Sequence, residues 1–102
     1  MSRRILPEAD GEAIAAALWY DDRRAGLGDD FLAEFEQSLG QISRNPQQLP
    51  RLEDYAGPHD IRRCRLRRFP YTVIVCVRDE ETSIVAVAHA RRRPLFWLER
   101  LQ

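Results

Sequence analysis

The chain has 102 residues, a formal net charge of zero and 44% apolar residues, which fits a single folded domain over residues 1–102. Its longest apolar run, Tyr71–Val77, is too short to span a bilayer. No apolar segment follows the basic N-terminus, so no secretory signal is predicted and we expect a cytoplasmic protein. Its two cysteines and two histidines match no metal-ligand motif, so neither a metal nor another cofactor is expected.

The charge is unevenly distributed along the chain. Residues 1–60 hold six arginines and twelve Asp and Glu residues, a net −6, whereas residues 61–102 hold ten arginines and four Asp and Glu residues, a net +6. This separation creates a field with two poles, and the positive pole attracts polyanions or acidic partners.

The N-terminal half predicts an extended segment followed by a first helix. Residues 2–6 are extended, and Pro7 is suited to the first position of a helix that runs to about Arg24. The expected buried stripe of this helix consists of Ile14, Ala17 and Leu18.

A second helix follows the glycines at positions 26 and 28 and runs to about Arg44. Asp29 or Asp30 is expected to cap it. Because the connection is short, the two helices should form an antiparallel hairpin. The expected buried face of the second helix, at helical spacing, consists of Leu32, Phe35, Leu39 and Ile42.

Three strands are predicted after a proline-containing loop over residues 45–60. Short turns at Phe69-Pro70-Tyr71 and at residues 79–82 join them into an antiparallel meander, and the chain ends in a short helix or a tail. The strands are expected over 60–68, 71–79 and 83–90. The order β-α-α-β-β-β predicts an α+β fold, with the helical hairpin packed on one face of a twisted antiparallel sheet.

The first strand of this meander carries five arginines between residues 62 and 68. Strand alternation puts Arg63, Arg65 and Arg67 on one face, in a row about 13 Å long, and Cys64 on the other. The row either protects an edge strand from aggregation or binds phosphates. If the first turn has three residues, Cys64 faces Cys76 across the ladder; both cysteines are otherwise expected to be reduced and buried.

Four segments in this order resemble one family. They are "ALWYDDRRAGLGDDFLAEFEQSL" across the hairpin, "NP" and a later proline, "IRRCRLRRFPYTVIV", and "IVAVAHARRRPLFWLER". Over roughly residues 8–100 they resemble the RelE/ParE superfamily of toxins from bacterial type II toxin–antitoxin modules, of the plasmid-stabilisation type. The resemblance implies a toxin that a cognate antitoxin neutralises in a hetero-oligomer. Candidate antitoxin contacts are Trp19, Tyr20, Arg63 and Arg65, although Trp19 and Tyr20 could instead pack at the hairpin.

The resemblance leaves two mechanisms open, neither of which involves a membrane. ParE-like members inhibit growth by binding DNA gyrase, whereas RelE-like members are metal-independent endoribonucleases that cleave mRNA on the ribosome. The residues expected to bind nucleic acid or the target are Arg63, Arg65, Arg67, Arg91, Arg92, Arg93, Phe96 and Trp97.

A nuclease of this family would need proton carriers beside its cations. His89 is the candidate general acid or base and Arg65 the catalytic phosphate-binding cation, although His89 could be a structural histidine on the strand face of Val85 and Val87. Many nuclease members carry a tyrosine near the C-terminus, where this chain has Phe96 and Trp97.

The tail and the loop offer little else for proton transfer. The two tail rings could stack on a base or anchor the tail, but neither can exchange a proton in the way that RNA cleavage requires. Every basic residue is an arginine, which transfers protons poorly; Glu53 and Asp54 are either solvated charges or, in a nuclease, candidate bases. These features favour the gyrase-binding mechanism. No helix has a basic face suited to reading bases, so independent sequence-specific DNA binding is not expected.

Overall fold

The computed structural model describes residues 2–79 and 81–101, with the backbone only for Ser2. The predicted order of elements is confirmed; of the two expectations for the C-terminus, the structure has a tail that contains one 3₁₀ turn of three residues. Glu80, in the predicted turn over residues 79–82, lies outside the described residues. The elements are β1 (Ser2–Ile5), α1 (Pro7–Arg23), α2 (Leu27–Arg44), a 3₁₀ turn (Pro46–Gln48), β2 (Asp60–Arg65), β3 (Tyr71–Val77), β4 (Glu81–His89) and a second 3₁₀ turn (Leu98–Arg100).

The four strands form one sheet in the order β1-β4-β3-β2. The predicted antiparallel meander of β2, β3 and β4 is confirmed. β1 pairs with β4 in parallel, from Ser2 opposite Glu81 to Ile5 opposite Ile84, so the whole sheet is mixed rather than antiparallel. The reason is topological: the helical hairpin and the meander return the chain beside β1 in the same direction.

The turn between β2 and β3 is longer than the predicted three residues. Arg65 pairs with Thr72, and the Leu66 N–H donates to the Tyr71 carbonyl at 3.0 Å, which leaves residues 67–70 in the turn. β2 therefore ends at Arg65 instead of residue 68. The Glu34 carboxylate on α2 accepts hydrogen bonds from the backbone N–H groups of Arg67 and Arg68, so the helix fixes this turn.

The longer turn changes the register of the cysteines. Cys64 lies opposite Val73, and Cys76 lies opposite Ile61. Cys64 belongs to the apolar cluster beneath the helices and Cys76 to the cluster on the opposite face of the sheet. The expected juxtaposition of the two cysteines is wrong, and both are free and buried.

α1 packs through alanines rather than through the predicted stripe. Ile14 and Leu18 are 50% and 67% exposed, although Ala17 is buried as expected. The buried side chains of this helix are Ala9, Ala13, Ala16 and Ala17. Small side chains allow α1 to approach its neighbours closely: a Cβ at Gly28 of α2 would lie 2.3 Å from the Ala17 carbonyl oxygen.

α2 begins at Leu27, three or four residues earlier than a cap at Asp29 or Asp30 predicts. Gly26 precedes it with φ 89°, a conformation that favours glycine. The Asp21 carboxylate on α1, rather than Asp29 or Asp30, accepts from the backbone N–H groups of Gly26 and Gly28, at 3.1 and 2.8 Å. The buried face of α2 runs through Phe31, which is 0% exposed, and leaves Leu32 37% exposed, whereas the other expected core residues are buried.

The sheet carries apolar clusters on both faces. The larger cluster lies beneath the helices and includes Phe31, Val73 and Ile84. The smaller cluster lies on the opposite face, where Trp97 from the C-terminal segment is 2% exposed and packs with the side chains of Ile61, Ile74, Cys76, Val85 and Ala86. The tail therefore closes part of this second face and leaves a groove beside it.

Candidate functional site

Two open grooves meet at the C-terminal end of β4. The first, which we call the aromatic groove, has a volume of about 790 Å³ and lies between α1 and the end of the sheet; it is lined by Trp19, Tyr20, Tyr71, Arg91 and others. The second, which we call the arginine groove, has a volume of about 210 Å³ and is bordered by the tail. His89, Ala90 and Arg92 line both grooves, so the two form one continuous surface around the strand end.

The arginine groove brings together most of the residues predicted for target binding. β2 contributes Arg63 and Arg65, β4 contributes its last residue, His89, and the other predicted residues lie in the segment after β4. The predicted residues that line this groove are Arg63, Arg65, His89, Arg92, Arg93, Phe96 and Trp97. Arg91 lines the aromatic groove instead. Arg67 lines neither groove, because β2 ends at Arg65 and the predicted row of three is reduced to two.

Several arginines of the basic segment have structural partners in the chain itself. The Arg62 Nε donates to Asp60 Oδ1 at 3.0 Å, and its terminal nitrogen donates to the carbonyl oxygens of Gln47 and Leu49 at 2.6 and 2.9 Å. Arg62 therefore holds the long loop against β2. Arg68 lies 3.6 Å from the Glu34 carboxylate. Some arginines of this segment, such as Arg62 and Arg68, therefore stabilise the fold, and only the others are available to bind a partner.

Of the arginines between residues 62 and 68, Arg63 and Arg65 line the arginine groove. The Arg63 side chain is 25% exposed and lies 3.5 Å from Glu53 Oε1. Its Nε is buried, and no hydrogen-bond partner for it exists among the described residues. Arg65 is exposed, and within residues 2–79 and 81–101 no carboxylate lies within ion-pair distance of it. A ligand oxygen could therefore bind here without displacing a strong internal contact.

His89 ends β4 at the junction of the two grooves. Its ring contacts the Tyr71 ring edge-on, with centroids 5.0 Å apart, and its Nδ1 accepts a hydrogen bond from the Arg91 N–H at 3.0 Å. The neutral imidazole consequently carries its proton on Nε2. The expected strand face is only partly correct: Val85 is the extra residue of a β-bulge and joins the opposite cluster, while Val87 lies on the helix-facing side.

The structure adds two tyrosines that the sequence did not assign to a site near His89. Tyr71 lies directly opposite His89 in the ladder, and its ring centroid is 6.3 Å from that of Tyr20. Burial raises the pKa of both phenols, and the neighbouring Tyr20 raises that of Tyr71 further. Both hydroxyls therefore stay protonated at neutral pH. The turn alone would have placed Tyr71 opposite Ala88; the β-bulge at Val85 shifts the register by one residue and brings Tyr71 opposite His89.

The two aromatic residues near the end of α1 have different environments. Tyr20 packs against Phe31 and Phe69, with centroids 5.7 and 4.8 Å away. Trp19 is 52% exposed, and the Arg23 guanidinium lies 3.9 Å above its ring. Of the two expected roles, packing fits Tyr20, whereas Trp19 is exposed on α1, as are Ile14 and Leu18; we call these three exposed apolar residues the α1 patch.

The two aromatic residues of the tail also differ. Trp97 anchors the tail in the smaller apolar cluster and is too buried to stack on a base in this conformation. Phe96 is partly exposed, with the guanidinium groups of Arg92 and Arg100 at 3.9 and 5.2 Å from its ring centroid. Cation–π contacts of this kind hold Arg92 at the groove wall.

A profile for the ParE toxin of type II toxin–antitoxin systems (parDE) matches residues 4–94. This chain belongs to the ParE toxin family. A solved structure of the chromosomal ParDE toxin–antitoxin system from P. aeruginosa is similar in fold, with a TM-score of 0.67 and 18% identity, covering 89% of this chain and 97% of that one. No curated protein matches this chain significantly. The chain is thus a type II toxin with the α+β fold that the resemblance implied.

Two further kinds of feature concern the described part of this ParE-family toxin, a metal site and a membrane-spanning helix. Within the described residues, no group of three or more His, Cys, Asp or Glu side chains is arranged to hold a metal ion. Neither of its long helices, in the part of the chain that is described, combines the length and apolar content needed to cross a membrane.

Proposed function

We propose that this toxin inhibits growth in the cytoplasm by binding DNA gyrase, and that a cognate antitoxin neutralises it. The observation that carries the proposal is the composition of the arginine groove. Its cations are arginines, its acids Glu53 and Asp54 are exposed, and its tail rings, Phe96 and Trp97, carry no group that acts as a general acid or base at neutral pH. Such a surface suits protein recognition, because arginine and aromatic residues dominate binding hot spots. The ParE family match supports the same target.

The antitoxin contact is proposed for the α1 patch and the neighbouring arginines. Ile14, Leu18 and Trp19 are at least half exposed and suit the apolar face of a partner segment. Tyr20 forms the wall of the adjoining aromatic groove. Arg63 and Arg65 line the arginine groove. An acidic part of the same antitoxin would reach this groove by passing around the C-terminal end of β4. The expected product is a toxin–antitoxin hetero-oligomer.

A supercoiling assay with purified gyrase tests the target. We expect the toxin to inhibit supercoiling, added antitoxin to restore it, and Arg65→Ala to weaken inhibition at least tenfold. Arg24→Ala is the matched control, because Arg24 is exposed at the end of α1 and lines neither groove. Full gyrase activity at saturating toxin would contradict the proposal.

A RelE-like, metal-independent mRNA endoribonuclease is the alternative. It is favoured by one observation: His89 and Arg65 line the same groove, which could bring a proton carrier and a cation to one phosphate. Incubation with translating ribosomes and mapping of the mRNA ends tests it. Cleavage that is lost in both His89→Ala and Arg65→Ala would establish the nuclease, and intact mRNA would exclude it.

A further inference from the structure

Part of the arginine groove is already occupied by an acid from the same chain. Glu53 lies in the loop before β2, and its Oε1 is 3.5 Å from a terminal nitrogen of Arg63. The Glu53 side chain is 82% exposed, whereas that of Arg63 is 25% exposed. An ion pair between a solvated acid and a partly buried arginine at this distance contributes little to stability. The contact is therefore easily exchanged for a better one.

The contact with Glu53 leaves a buried N–H donor of Arg63 without a partner in the described part of the chain. Its Nε is buried and has no hydrogen-bond partner among residues 2–79 and 81–101. A guanidinium binds a carboxylate best through two parallel N–H donors, but Glu53 reaches only a terminal nitrogen. Leaving a buried donor unpaired costs free energy, which a carboxylate bound to both Nε and the terminal nitrogen would recover. Since Nε is covered, a carboxylate that reaches it must first move Glu53 off the terminal nitrogen and open the groove locally, beside the loop whose Pro50 carbonyl accepts from the Arg63 backbone N–H at 3.0 Å.

The remaining walls of the groove indicate the class of ligand. Arg65 and Arg93 add two exposed cations, and the half-buried Leu95 adds apolar surface. A polypeptide can match both with alternating acidic and apolar side chains. A nucleic acid carries a charge at every phosphate and cannot keep charge away from Glu53 and Asp54, which line the same groove, whereas a peptide can place uncharged residues there. An acidic peptide segment therefore fits this groove better than RNA.

We propose that Glu53 is an internal competitor, which holds Arg63 in the free toxin until a carboxylate of an acidic partner segment replaces it. The incoming carboxylate accepts hydrogen bonds from both the Nε and the terminal nitrogen of Arg63. This inference depends on the proposed role of the arginine groove as a partner-binding surface, and it adds the chemical group that is recognised and the self-contact that regulates access.

The Nε–Hε signal of Arg63 in a ¹H–¹⁵N NMR spectrum tests the proposal directly, after assignment by its loss in Arg63→Lys. The probe is an N-acetylated, C-amidated hexapeptide of alternating glutamate and leucine, at low salt. We expect this peptide to shift the Arg63 signal to lower field with saturation. The matched glutamine–leucine peptide should leave the signal unchanged. An unshifted signal at saturating glutamate peptide would overturn the proposal.

Competition is tested by removing the internal acid. Glu53→Gln should tighten peptide binding by about two- to fivefold, which corresponds to a weak surface ion pair. Glu99→Gln removes the same charge from an exposed position in the C-terminal 3₁₀ turn and should change the affinity by much less. Equal effects of the two substitutions would show that only net charge matters and would overturn the competitor role.

Two further outcomes separate this inference from its alternatives. A single-stranded RNA hexanucleotide that shifts the Arg63 signal at lower concentration than the peptide would overturn the assignment to a peptide. Neither gyrase nor antitoxin enters the measurement. Inhibition of gyrase without peptide binding would therefore overturn only the competitor model, whereas peptide binding without inhibition of gyrase would support the competitor model and overturn only the proposed target.

Discussion

Glu12 on α1 and Arg100 near the C-terminus form a doubly hydrogen-bonded ion pair, with nitrogen–oxygen distances of 2.8 and 3.1 Å. Because β1 ends opposite Ile84, the next part of β4 has no strand partner on that side. Glu12 accepts a hydrogen bond from the Val87 N–H at 2.9 Å, and Arg100 donates to the Val85 carbonyl at 3.0 Å. The pair therefore replaces the missing strand beside the bulge, and the hydrogen bonds with Glu12 raise the pKa of Arg100.

Removing one member of this pair should destabilise the toxin. Both side chains are less than one fifth exposed, so Glu12→Ala would leave a buried guanidinium and a backbone N–H unpaired, at a cost of about 2–4 kcal/mol. Urea unfolding measures the change. Glu36→Ala, at an exposed position of α2, is the control and should cost less than about 0.5 kcal/mol. Equal stability of the two variants would contradict the structural role of Glu12.

Two glycines in helices should respond to alanine in opposite directions. A Cβ at Gly28 would lie 2.3 Å from the Ala17 carbonyl oxygen, so Gly28→Ala should destabilise the hairpin by about 2–3 kcal/mol. Gly11 has nothing within 4 Å of its Cβ position, so Gly11→Ala should stabilise α1 by about 0.5–1 kcal/mol. Thermal unfolding of both variants measures the difference. A tolerated Gly28→Ala would show that the helices do not approach so closely.

The thiol of Cys64 should be unreactive in the folded toxin. Burial raises its pKa, so less thiolate, the reactive species, is present at any given pH. We expect alkylation by iodoacetamide at pH 8 to be much slower than in urea, and its rate to keep rising with pH beyond the ordinary thiol pKa of about 8.5. Mass spectrometry of labelled peptides measures this. After mild oxidation, an intramolecular Cys64–Cys76 disulfide in folded protein would contradict the described register.

The two tryptophans should contribute very differently to stability. Trp97 is 2% exposed in the smaller apolar cluster, so Trp97→Ala should cost about 3–5 kcal/mol. Trp19 is 52% exposed, so Trp19→Ala should cost less than about 1 kcal/mol. Under the proposed function, however, Trp19→Ala should weaken antitoxin binding at least tenfold. Calorimetric unfolding and titration with the antitoxin measure these effects, and unaltered antitoxin affinity would remove Trp19 from that interface.

Local pattern alone was enough for the elements and for much of the surface chemistry. The helical hairpin and the meander follow from the spacing of apolar residues, glycines and prolines, because helices and strands bury side chains with different periods. The meander also accounts for Arg63, Arg65 and His89 lining one groove, since β2 and β4 run in the same direction on either side of β3 and end at the same edge of the sheet. Resemblance to RelE/ParE toxins led to the correct family.

Tertiary structure decided which residues face which partner. A turn one residue longer than predicted separated Cys64 from Cys76 and removed Arg67 from the row. Close helix packing turned the alanines of α1 inward and left Leu18 and Trp19 outside. The pairing of Glu53 with Arg63 depends on a long loop folding back over β2. Such outcomes depend on registers and on contacts between segments distant in sequence, whose energies are set by the packing of the whole chain and are not encoded in any local pattern.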